Sequence, residues 1–325
     1  MEYLVELLTV IADTIVYAWL GLSKDALFTS ALHYFLVTFL EILILLVVVT
    51  FLMGVIQHYL SFEKIRDFLE KKKKLGIANL IASSFGAITP FCSCSSTPIF
   101  IGMMQAKVPL GVSLSFLVTS PLVNELAVAL FWASFGWKVT IIYVITGVML
   151  GVFGGLILDK LGMSKYIAEW VKNLDSKKIE SGMEVRTSLV LSIPFIFKQT
   201  VTTSKKLLPF VFVGIAIGSF IHGYVPEKFF EEYISEGNWY AVPLAVVLAI
   251  PLYIDAAAIL PLIDTFIAKG VPMGTAIAFM MAAIGLSLPE ALLLKKVMQR
   301  KLILGYFATI GIGMIMAGYL FNYIF

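Results

Sequence analysis

Residues 76–107 decide the fold class of this 325-residue chain; they read GIANLIASSFGAITPFCSCSSTPIFIGMMQAK. Within this stretch the only charged residue is Lys107 at its end. Its centre, TPFCSCSSTP at 89–98, is nevertheless polar and contains two prolines. Backbone without helical hydrogen bonds cannot face lipid, so this centre is buried in protein or lines a wet cavity. The pattern predicts a membrane hairpin made of two half-helices around a break.

The composition agrees with a membrane protein. Apolar residues make up 60% of the chain and charged residues 14%, with a mean hydropathy of +0.95. Soluble domains carry nearly twice that charged share, so a soluble enzyme is excluded. A membrane helix needs about 20 apolar residues, which leaves room for roughly six to nine spans.

Apolar runs bounded by charge divide the chain into two similar series. The first series has a span at 33–59, the hairpin at 76–107, a span at 109–137 broken at Ser120-Pro121, and a span at 138–157. The second has a span at 206–224, a hairpin at about 240–270, a span at 272–294 broken at Leu288-Pro289, and a last span to Phe325. The hydrophilic stretch from Asp159 to Arg186 is the linker between them.

The two series repeat at a constant offset of 163 residues. Matching breaks, spans and Pro/Gly positions indicate an internal repeat. Asn124-Glu125 and Pro289-Glu290 correspond only if two residues are inserted. The matched pairs are Pro98 with Pro261, Pro109 with Pro272, Gly111 with Gly274, and Phe116 with Phe279.

The charges of the loops orient the repeats. The loop after the first span is basic in the first half, with Lys71 to Lys74, and acidic in the second half. The loop before the last span is uncharged in the first half and basic in the second, with Lys295 to Lys301. Since Lys and Arg stay cytoplasmic, the halves face opposite ways. We therefore expect an all-α integral membrane protein with two inverted repeats, each of three full spans plus a broken re-entrant hairpin.

Four regions follow from this reading. Residues 1–28 form an extra N-terminal helix, either a span or an amphipathic surface helix, because they lack the basic start and cleavage site of a signal peptide. Residues 29–158 and 196–325 are the two repeats, and 159–195 is a linker. Loop 61–75 and the linker 159–195 are expected in the cytoplasm, and the protein in the cytoplasmic membrane.

The first break is dense in groups that can bind a ligand. Thr97 before Pro98 reads as an N-cap followed by a first helical residue, so a half-helix N-terminus is expected to face the break. Two thiols one residue apart can converge on one soft centre, although small residues also serve close helix packing. The candidate substrate-binding residues here are Thr89, Cys92, Ser93, Cys94, Ser95, Ser96 and Thr97.

Acidic residues inside apolar segments are the second candidate group, because ionisable groups in the membrane are costly and mark ion or proton sites. Asp255 lies in the second break, where the offset of 163 makes it the counterpart of Cys92 and a pairing of Pro90 with Pro251 shifts that correspondence by two residues. Tyr253, in the same break, is a further ligand candidate. Asp255, Glu125 and Glu290 are the candidates for proton coupling; Glu290 has the alternative of pairing with Lys295 or Lys296. The residues expected to break helices are Pro90, Pro98, Pro121, Pro251 and Pro261.

The motif TPFCSCSSTP, followed by GMMQAKVPLG and FLVTSPLVNE, resembles the predicted permeases of the ArsP family, and PLYID and KGVPMG extend the similarity into the second half. Named members of that family export trivalent organoarsenicals. The resemblance implies a multi-span permease with Cys92 and Cys94 as arsenical ligands. An arsenic(III) with one organic group has two exchangeable positions, which matches two thiols.

We therefore expect a secondary-active efflux permease that works by alternating access, proton-coupled through the carboxylates named above. It needs no cofactor and no metal; its partners are a small-molecule substrate and the lipid bilayer, without nucleic acid, and a homo-oligomer stays open. One alternative keeps the architecture and transports a small oxyanion or sulfur compound. Another class is an intramembrane enzyme, either a thiol redox protein using Cys92 and Cys94 or an aspartyl protease using Asp255 and Asp264.

Overall fold

The secondary structure is helical, as predicted. The computed structural model describes residues 2–21, 27–59, 76–89, 93–169, 171, 238–252, 256–268, 270–295 and 297–325, with short pieces of 193–219. Within these residues no strand is present. Three segments there are long and apolar enough to cross a membrane: Ala127–Lys160, Met273–Leu294 and Arg300–Ile324. The chain is a multi-pass helical membrane protein.

The first half contains one long helix, a pair of short helices, and two further helices. An N-terminal helix, α1 (Glu2–Asp13), packs against α2 (Leu27–Tyr59). It continues into a π-helical turn at Thr14–Trp19. The span expected at 33–59 lies within α2, whose 33 residues extend about 50 Å at 1.5 Å per residue. The helices are α1 Glu2–Asp13, α2 Leu27–Tyr59, α3 Ile77–Ile88, α4 Ser93–Gln105, α5 Leu110–Leu122 and α6 Glu125–Lys160.

The second half shows the same order of elements. It has a pair of short helices, then a segment broken near its end, then a long final helix. The span expected at 206–224 lies largely outside the described residues. The helices are α7 Ala241–Ala249, α8 Ala256–Ala268, α9 Met273–Gly285, α10 Leu288–Leu294 and α11 Arg300–Ile324.

The helix bounds of the two halves recur at the predicted offset. Both ends of α4 and α8, and both ends of α5 and α9, differ by 163 residues, as do the starts of α6 and α10. The N-caps of the last pair, Asn124 and Ser287, are equally spaced. The insertion of two residues that paired Glu125 with Glu290 was wrong: the helix start is fixed by its cap, so Glu125 corresponds to Leu288 and Glu290 to Ala127.

Helix α6 is interrupted where the second half has a separate helix start. Gly136 has φ 77° and ψ 172°, which a residue with a side chain rarely adopts. Its counterpart is Gln299, the N-cap of α11. The part of α6 after Gly136 therefore corresponds to α11, and the part before it corresponds to α10.

Close helix packing also recurs between the halves. A Cβ added to Gly111 of α5 would lie 2.7 Å from the carbonyl oxygen of Gly155 on α6. At the equivalent positions, a Cβ on Gly274 of α9 would overlap the carbonyl of Gly318 on α11. Small residues allow such backbone approach between membrane helices. The packing of α5 against α6 is thus repeated by the packing of α9 against α11.

Among the described helices, four pairs make the main contacts between the two halves. Helix α5 packs against α9 and α6 against α11, which are pairs of equivalent helices. Helix α4 packs against α10, and α8 packs against α6. Because the part of α6 before Gly136 corresponds to α10, the last two contacts are also counterparts of each other. The contacts between the halves are therefore reciprocal.

Candidate functional site

The first hairpin break follows α3. That helix ends at Ile88, and Thr89 is its half-buried C-cap, whose hydroxyl donates to the carbonyls of Phe85 (2.8 Å) and Gly86 (3.2 Å). Thr89 therefore caps the C-terminus of α3 by donating its hydroxyl proton to carbonyls of the last turn. Pro90 and Cys92 lie outside the described residues.

Helix α4 begins five residues earlier than the sequence predicted. It starts at Ser93, so Thr97 is not its N-cap and Pro98 is its sixth residue, not a break. Burial explains the difference, because extending the helix by one turn gives the polar stretch internal hydrogen bonds that a break would leave unmade. Ser96 and Thr97 are buried within it at 0% and 3% exposure. Ser93, Cys94 and Ser95 occupy the first turn, and their side chains lie outside the described residues.

The second hairpin break has the same register as the first at the helix that follows it, because α8 begins 163 residues after α4. Helix α7 ends at Ala249, and Pro251 lies in the turn after it. Pro261 is the sixth residue of α8, as Pro98 is of α4, so it too was wrongly expected to break a helix. Tyr253 and Asp255 lie outside the described residues. The equal helix starts make Cys92 and Asp255 the residues directly before α4 and α8.

A second pair of breaks separates α5 from α6 and α9 from α10. Pro121 lies in the last turn of α5, and the helix ends one residue later, so the break falls slightly after Ser120-Pro121. Asn124 caps α6 by accepting a 2.7 Å hydrogen bond from the amide of Ala127. Glu125, the first residue of α6, is exposed. An acidic residue in a first helical turn also stabilises the helix dipole.

Three of the breaks lie close together. The amide of Leu288, which opens α10, donates a 2.9 Å hydrogen bond to the carbonyl of Ile250 at the end of α7. The ends of α5 and α9 approach each other so closely that a Cβ on Gly285 would lie 2.7 Å from Leu122. Leu122 and Gly285 are themselves equivalent residues. The two halves therefore cross at the breaks, and α10 also packs against α4 beside the first hairpin break.

Glu290 is the charged side chain that lies deepest among the described residues. It is 1% exposed, its Oε1 lies 3.5 Å from the Tyr306 hydroxyl, and its Oε2 has no hydrogen-bond partner. Lys295 is exposed, so the expected pairing with it does not form; the side chain of Lys296 lies outside the described residues. Asp264, by contrast, is exposed and accepts a 3.4 Å hydrogen bond from Ser134.

Two buried tyrosines were missed by the sequence reading. Tyr143 and Tyr306 are 163 residues apart and both fully buried. The Tyr143 hydroxyl donates a 2.5 Å hydrogen bond to the carbonyl of Leu122, the last residue of α5. The repeat offset was the signal that could have paired them.

A buried polar cluster between α3 and α5 was also missed. The Asn79 amide donates to Ser115 Oγ at 2.9 Å, and the Thr119 hydroxyl donates to Ser83 Oγ at 3.0 Å. Each of these four side chains therefore has a hydrogen-bond partner on the facing helix, as polar side chains between membrane helices usually do. The equivalent residues in the second half are apolar: Val242, Ala278, Ala282 and Val246.

The described structure thus has helical spans, breaks that recur between the halves and close glycine packing, and comparison with known families identifies the protein. The ArsP family model, described as "Predicted permease", matches residues 27–323. This chain belongs to the ArsP predicted permease family. The family match extends from the first residue of α2 to the last turn of α11, so both halves of this permease are included in it.

Similar proteins occur in archaea and bacteria. A UPF0718 protein of Methanocaldococcus jannaschii is 20% identical over 297 residues, covering 75% of this permease and 81% of the relative. The UPF0718 protein YraQ of Escherichia coli is 21% identical over 272 residues, covering 84% and 75%. A Streptococcus mutans protein named "Putative two-component membrane permease complex subunit" is 28% identical over 138 residues, covering 40% and 45%. No solved structure matches this permease.

Proposed function

We propose that this permease is a secondary-active efflux transporter, not an enzyme, that works by alternating access. Its substrate site lies near the membrane midplane between the two hairpin breaks. The observation that carries the proposal is the crossing of two equivalent halves at their breaks, with Leu122 against Gly285 and Leu288 hydrogen-bonded to Ile250. Broken helices at matching positions of inverted repeats are the substrate sites of many secondary transporters.

Inversion of the two halves is supported by contacts outside the membrane core. The Tyr166 carbonyl at the start of the linker accepts a 2.8 Å hydrogen bond from the Gln299 amide, and the Lys301 ammonium lies 5.5 Å from the Tyr166 ring centre. The start of the linker and the second basic loop therefore share one side. That side is cytoplasmic in our proposal, because both segments carry lysines that stay inside.

The opposite side is external in our proposal. Trp239, which follows the acidic loop, accepts a hydrogen bond through its carbonyl from Tyr319 near the end of α11. In our topology this end of α11 is external. Each repeat then has three crossings and a re-entrant hairpin, with loop 61–75 and the linker 159–195 inside the cell.

The substrate is a small compound with a soft centre, a trivalent organoarsenical by the family resemblance. Cys92 and Cys94 would replace its two exchangeable groups, since thiolates prefer soft centres. Cys92 lies directly before α4, and Cys94 lies in its first turn. By the repeat offset, Cys92 is the counterpart of Asp255, which lies directly before α8 and two residues after Tyr253. Ser93, Ser95 and the buried Ser96 and Thr97 would line the remaining surface. A proton gradient would drive export through Asp255, Glu125 or Glu290.

Uptake by everted membrane vesicles tests the proposal. Vesicles with the parent permease are expected to accumulate methylarsenite when a pH gradient, acidic inside, is imposed. The Cys92→Ser/Cys94→Ser variant is expected to lose that accumulation, whereas Ser164→Ala, an exposed linker variant, keeps it. Equal accumulation by parent and double variant would remove the thiols from the mechanism. Absence of transport by the parent would remove the arsenical substrate.

A further inference from the structure

Among the described residues, Glu290 is the only charged side chain that is buried. It is the third residue of α10, in the predicted crossing segment Met273–Leu294. Among the described residues its one hydrogen-bond partner is the Tyr306 hydroxyl, which lies 3.5 Å from Oε1, at the limit of a hydrogen bond. Its second oxygen, Oε2, has no hydrogen-bond partner among them. Ionisable side chains at such depth are costly and are retained where they have a function.

The local sequence offers Glu290 an arrangement that the structure does not use. Ser287-Leu288-Pro289-Glu290 has the spacing of a capping box, in which the serine and the glutamate satisfy each other's backbone amides. Ser287 is the N-cap of α10, yet it makes no side-chain cap hydrogen bond, and its buried hydroxyl has no partner. Two polar side chains are thus left without full partners at one helix turn.

The first half contains an equivalent tyrosine with which the hydrogen bonding of Tyr306 can be compared. There the equivalent tyrosine, Tyr143, donates at 2.5 Å to the carbonyl of Leu122, the last residue of α5. The equivalent of Leu122 is Gly285, and the equivalent of Glu290 is Ala127, which is also buried. In the repeat, the Gly285 carbonyl is the counterpart of the Leu122 carbonyl that accepts from Tyr143. Tyr306 would thus have two acceptors, the Gly285 carbonyl and Glu290, and the hydrogen bond present in the structure is the one to Glu290.

The described neighbours provide no counter-charge. Helix α11 contributes Tyr306, while its cationic residues Arg300 and Lys301 are exposed, as is Lys295 after α10. Helices α4, α7 and α9, which lie against this region, have no Asp, Glu, Lys, Arg or His; the thiol of Cys94 is their one titratable group. Tyr253, Asp255 and the side chain of Lys296 lie outside the described residues. An ionised carboxylate placed here carries a desolvation cost that a bound proton removes.

We propose that Glu290 is the site at which the coupling proton binds, and that Tyr306 is a positioning residue whose hydrogen bond changes with the protonation of Glu290. This inference rests on the proposed transporter function. A proton from water forms an O–H bond at Oε2, and the neutral acid releases Tyr306, which then donates to the Gly285 carbonyl as Tyr143 does to Leu122. When the proton returns to water, the carboxylate accepts the Tyr306 hydrogen bond again.

Helix α10 connects this site to both hairpin breaks. Its first residue, Leu288, is hydrogen-bonded to Ile250 at the second break, and the helix packs against α4, which begins beside Cys92. A shift of α10 when Tyr306 changes acceptor therefore moves groups at both sides of the substrate site. The first half, which has Ala127 in place of the carboxyl, keeps Tyr143 on one acceptor throughout the cycle.

Two readouts on the full-length permease in proteoliposomes test the inference. The first is transport of methylarsenite, measured as exchange at equal pH and as accumulation driven by a pH gradient. We expect Glu290→Gln to retain exchange and to lose gradient-driven accumulation. Glu169→Gln, which alters an exposed carboxylate of the linker, is the matched control and is expected to behave as the parent. Accumulation by Glu290→Gln at the parent level would overturn the proposal.

The second readout needs no substrate. Infrared difference spectra between acidic and alkaline buffer are expected to contain a carboxyl band that is absent in Glu290→Gln and shifted in Tyr306→Phe, but unchanged in Tyr323→Phe, an exposed control. If no variant transports the arsenical, the proposed substrate fails, and this band alone decides the inference. A band that persists in Glu290→Gln, or that Tyr306→Phe leaves unshifted, contradicts it.

Discussion

Tyr143 donates a 2.5 Å hydrogen bond to the carbonyl of Leu122, which joins the middle of α6 to the end of α5 at the point where the two halves of the permease cross. Both residues are fully buried. Phe131 stacks on the tyrosine ring with a centroid distance of 4.3 Å, so the ring is held from its face as well as from its hydroxyl. The last carbonyls of a helix have no intrahelical donor, and this hydroxyl supplies one.

Tyr143→Phe is therefore expected to destabilise the permease. Removing one partner of a buried hydrogen bond costs about 1–3 kcal/mol, because the carbonyl stays buried without its donor. Tyr306→Phe removes a contact of 3.5 Å and is expected to cost less. Thermal unfolding of both variants in detergent measures the difference. A larger loss in Tyr306→Phe would show that the tyrosines do not differ as their hydrogen bonds indicate.

The turn after each hairpin gives a matched pair of stability predictions. Lys107 and Gly270 are equivalent residues with φ of 62° and 88°, and each is followed by an amide that bonds back to the helix, Val108 to Met103 and Val271 to Phe266. This is a Schellman motif, in which glycine is favoured. The left-handed conformation costs a residue with a side chain about 1–2 kcal/mol.

Lys107→Gly is accordingly expected to raise the unfolding temperature, and Gly270→Ala to lower it. Lys107→Ala removes the same charge but keeps the strained conformation, so it is expected to bring no gain. Differential scanning fluorimetry on the purified variants separates the three. A gain in Lys107→Ala equal to that in Lys107→Gly would assign the effect to charge and not to the backbone.

The contact between paired glycines sets the distance between helices in both halves. A Cβ on Gly155 or Gly318 would overlap backbone or side-chain atoms of the facing helix, whereas a Cβ on Gly311 would meet its nearest atom, from Leu286, at 3.6 Å. Overpacking of this kind costs about 1–3 kcal/mol. Gly155→Ala and Gly318→Ala are expected to lower stability and Gly311→Ala to leave it unchanged, as measured by thermal unfolding. Equal stability of all three variants would contradict the close approach.

Sequence alone predicted the elements that depend on local chemistry. The apolar runs predicted helices, and the prolines and glycines at an offset of 163 residues predicted an internal repeat. The structure shows the matched residues in equivalent roles: Pro109 and Pro272 are N-caps, and Gly111 and Gly274 are sites of close helix contact. These features depend on residues that fix the backbone or permit close approach, so their pattern is readable without the fold.

Tertiary burial decided the features that sequence reading predicted wrongly or missed. Pro98 was expected at a helix start and Pro261 at a helix break, but both lie inside helices, α4 and α8, since buried backbone requires hydrogen bonds more than it avoids proline. Glu290 precedes a basic loop in sequence, yet it is turned inward toward Tyr306. Which side of α10 faces the core depends on packing against α4 and α11, and no local pattern in seven residues specifies it.

The proposed mechanism depends on inversion of the two halves, because inversion would place both hairpin breaks in one site and permit alternating access. Lys138 and Lys301 test it most directly: they are equivalent residues, both exposed, at the starts of equivalent helical segments. Each is changed to cysteine in the Cys92→Ser/Cys94→Ser background and labelled in intact cells with a membrane-impermeant maleimide. Lys165→Cys, in the proposed cytoplasmic linker, is the control and is expected to react only after permeabilisation.

We expect the cysteine at 138 to react in intact cells, whereas the cysteines at 301 and 165 are expected to react only when the membrane is permeabilised. Labelling of positions 138 and 301 from the same side would contradict it, because two equivalent residues of inverted repeats cannot face one compartment.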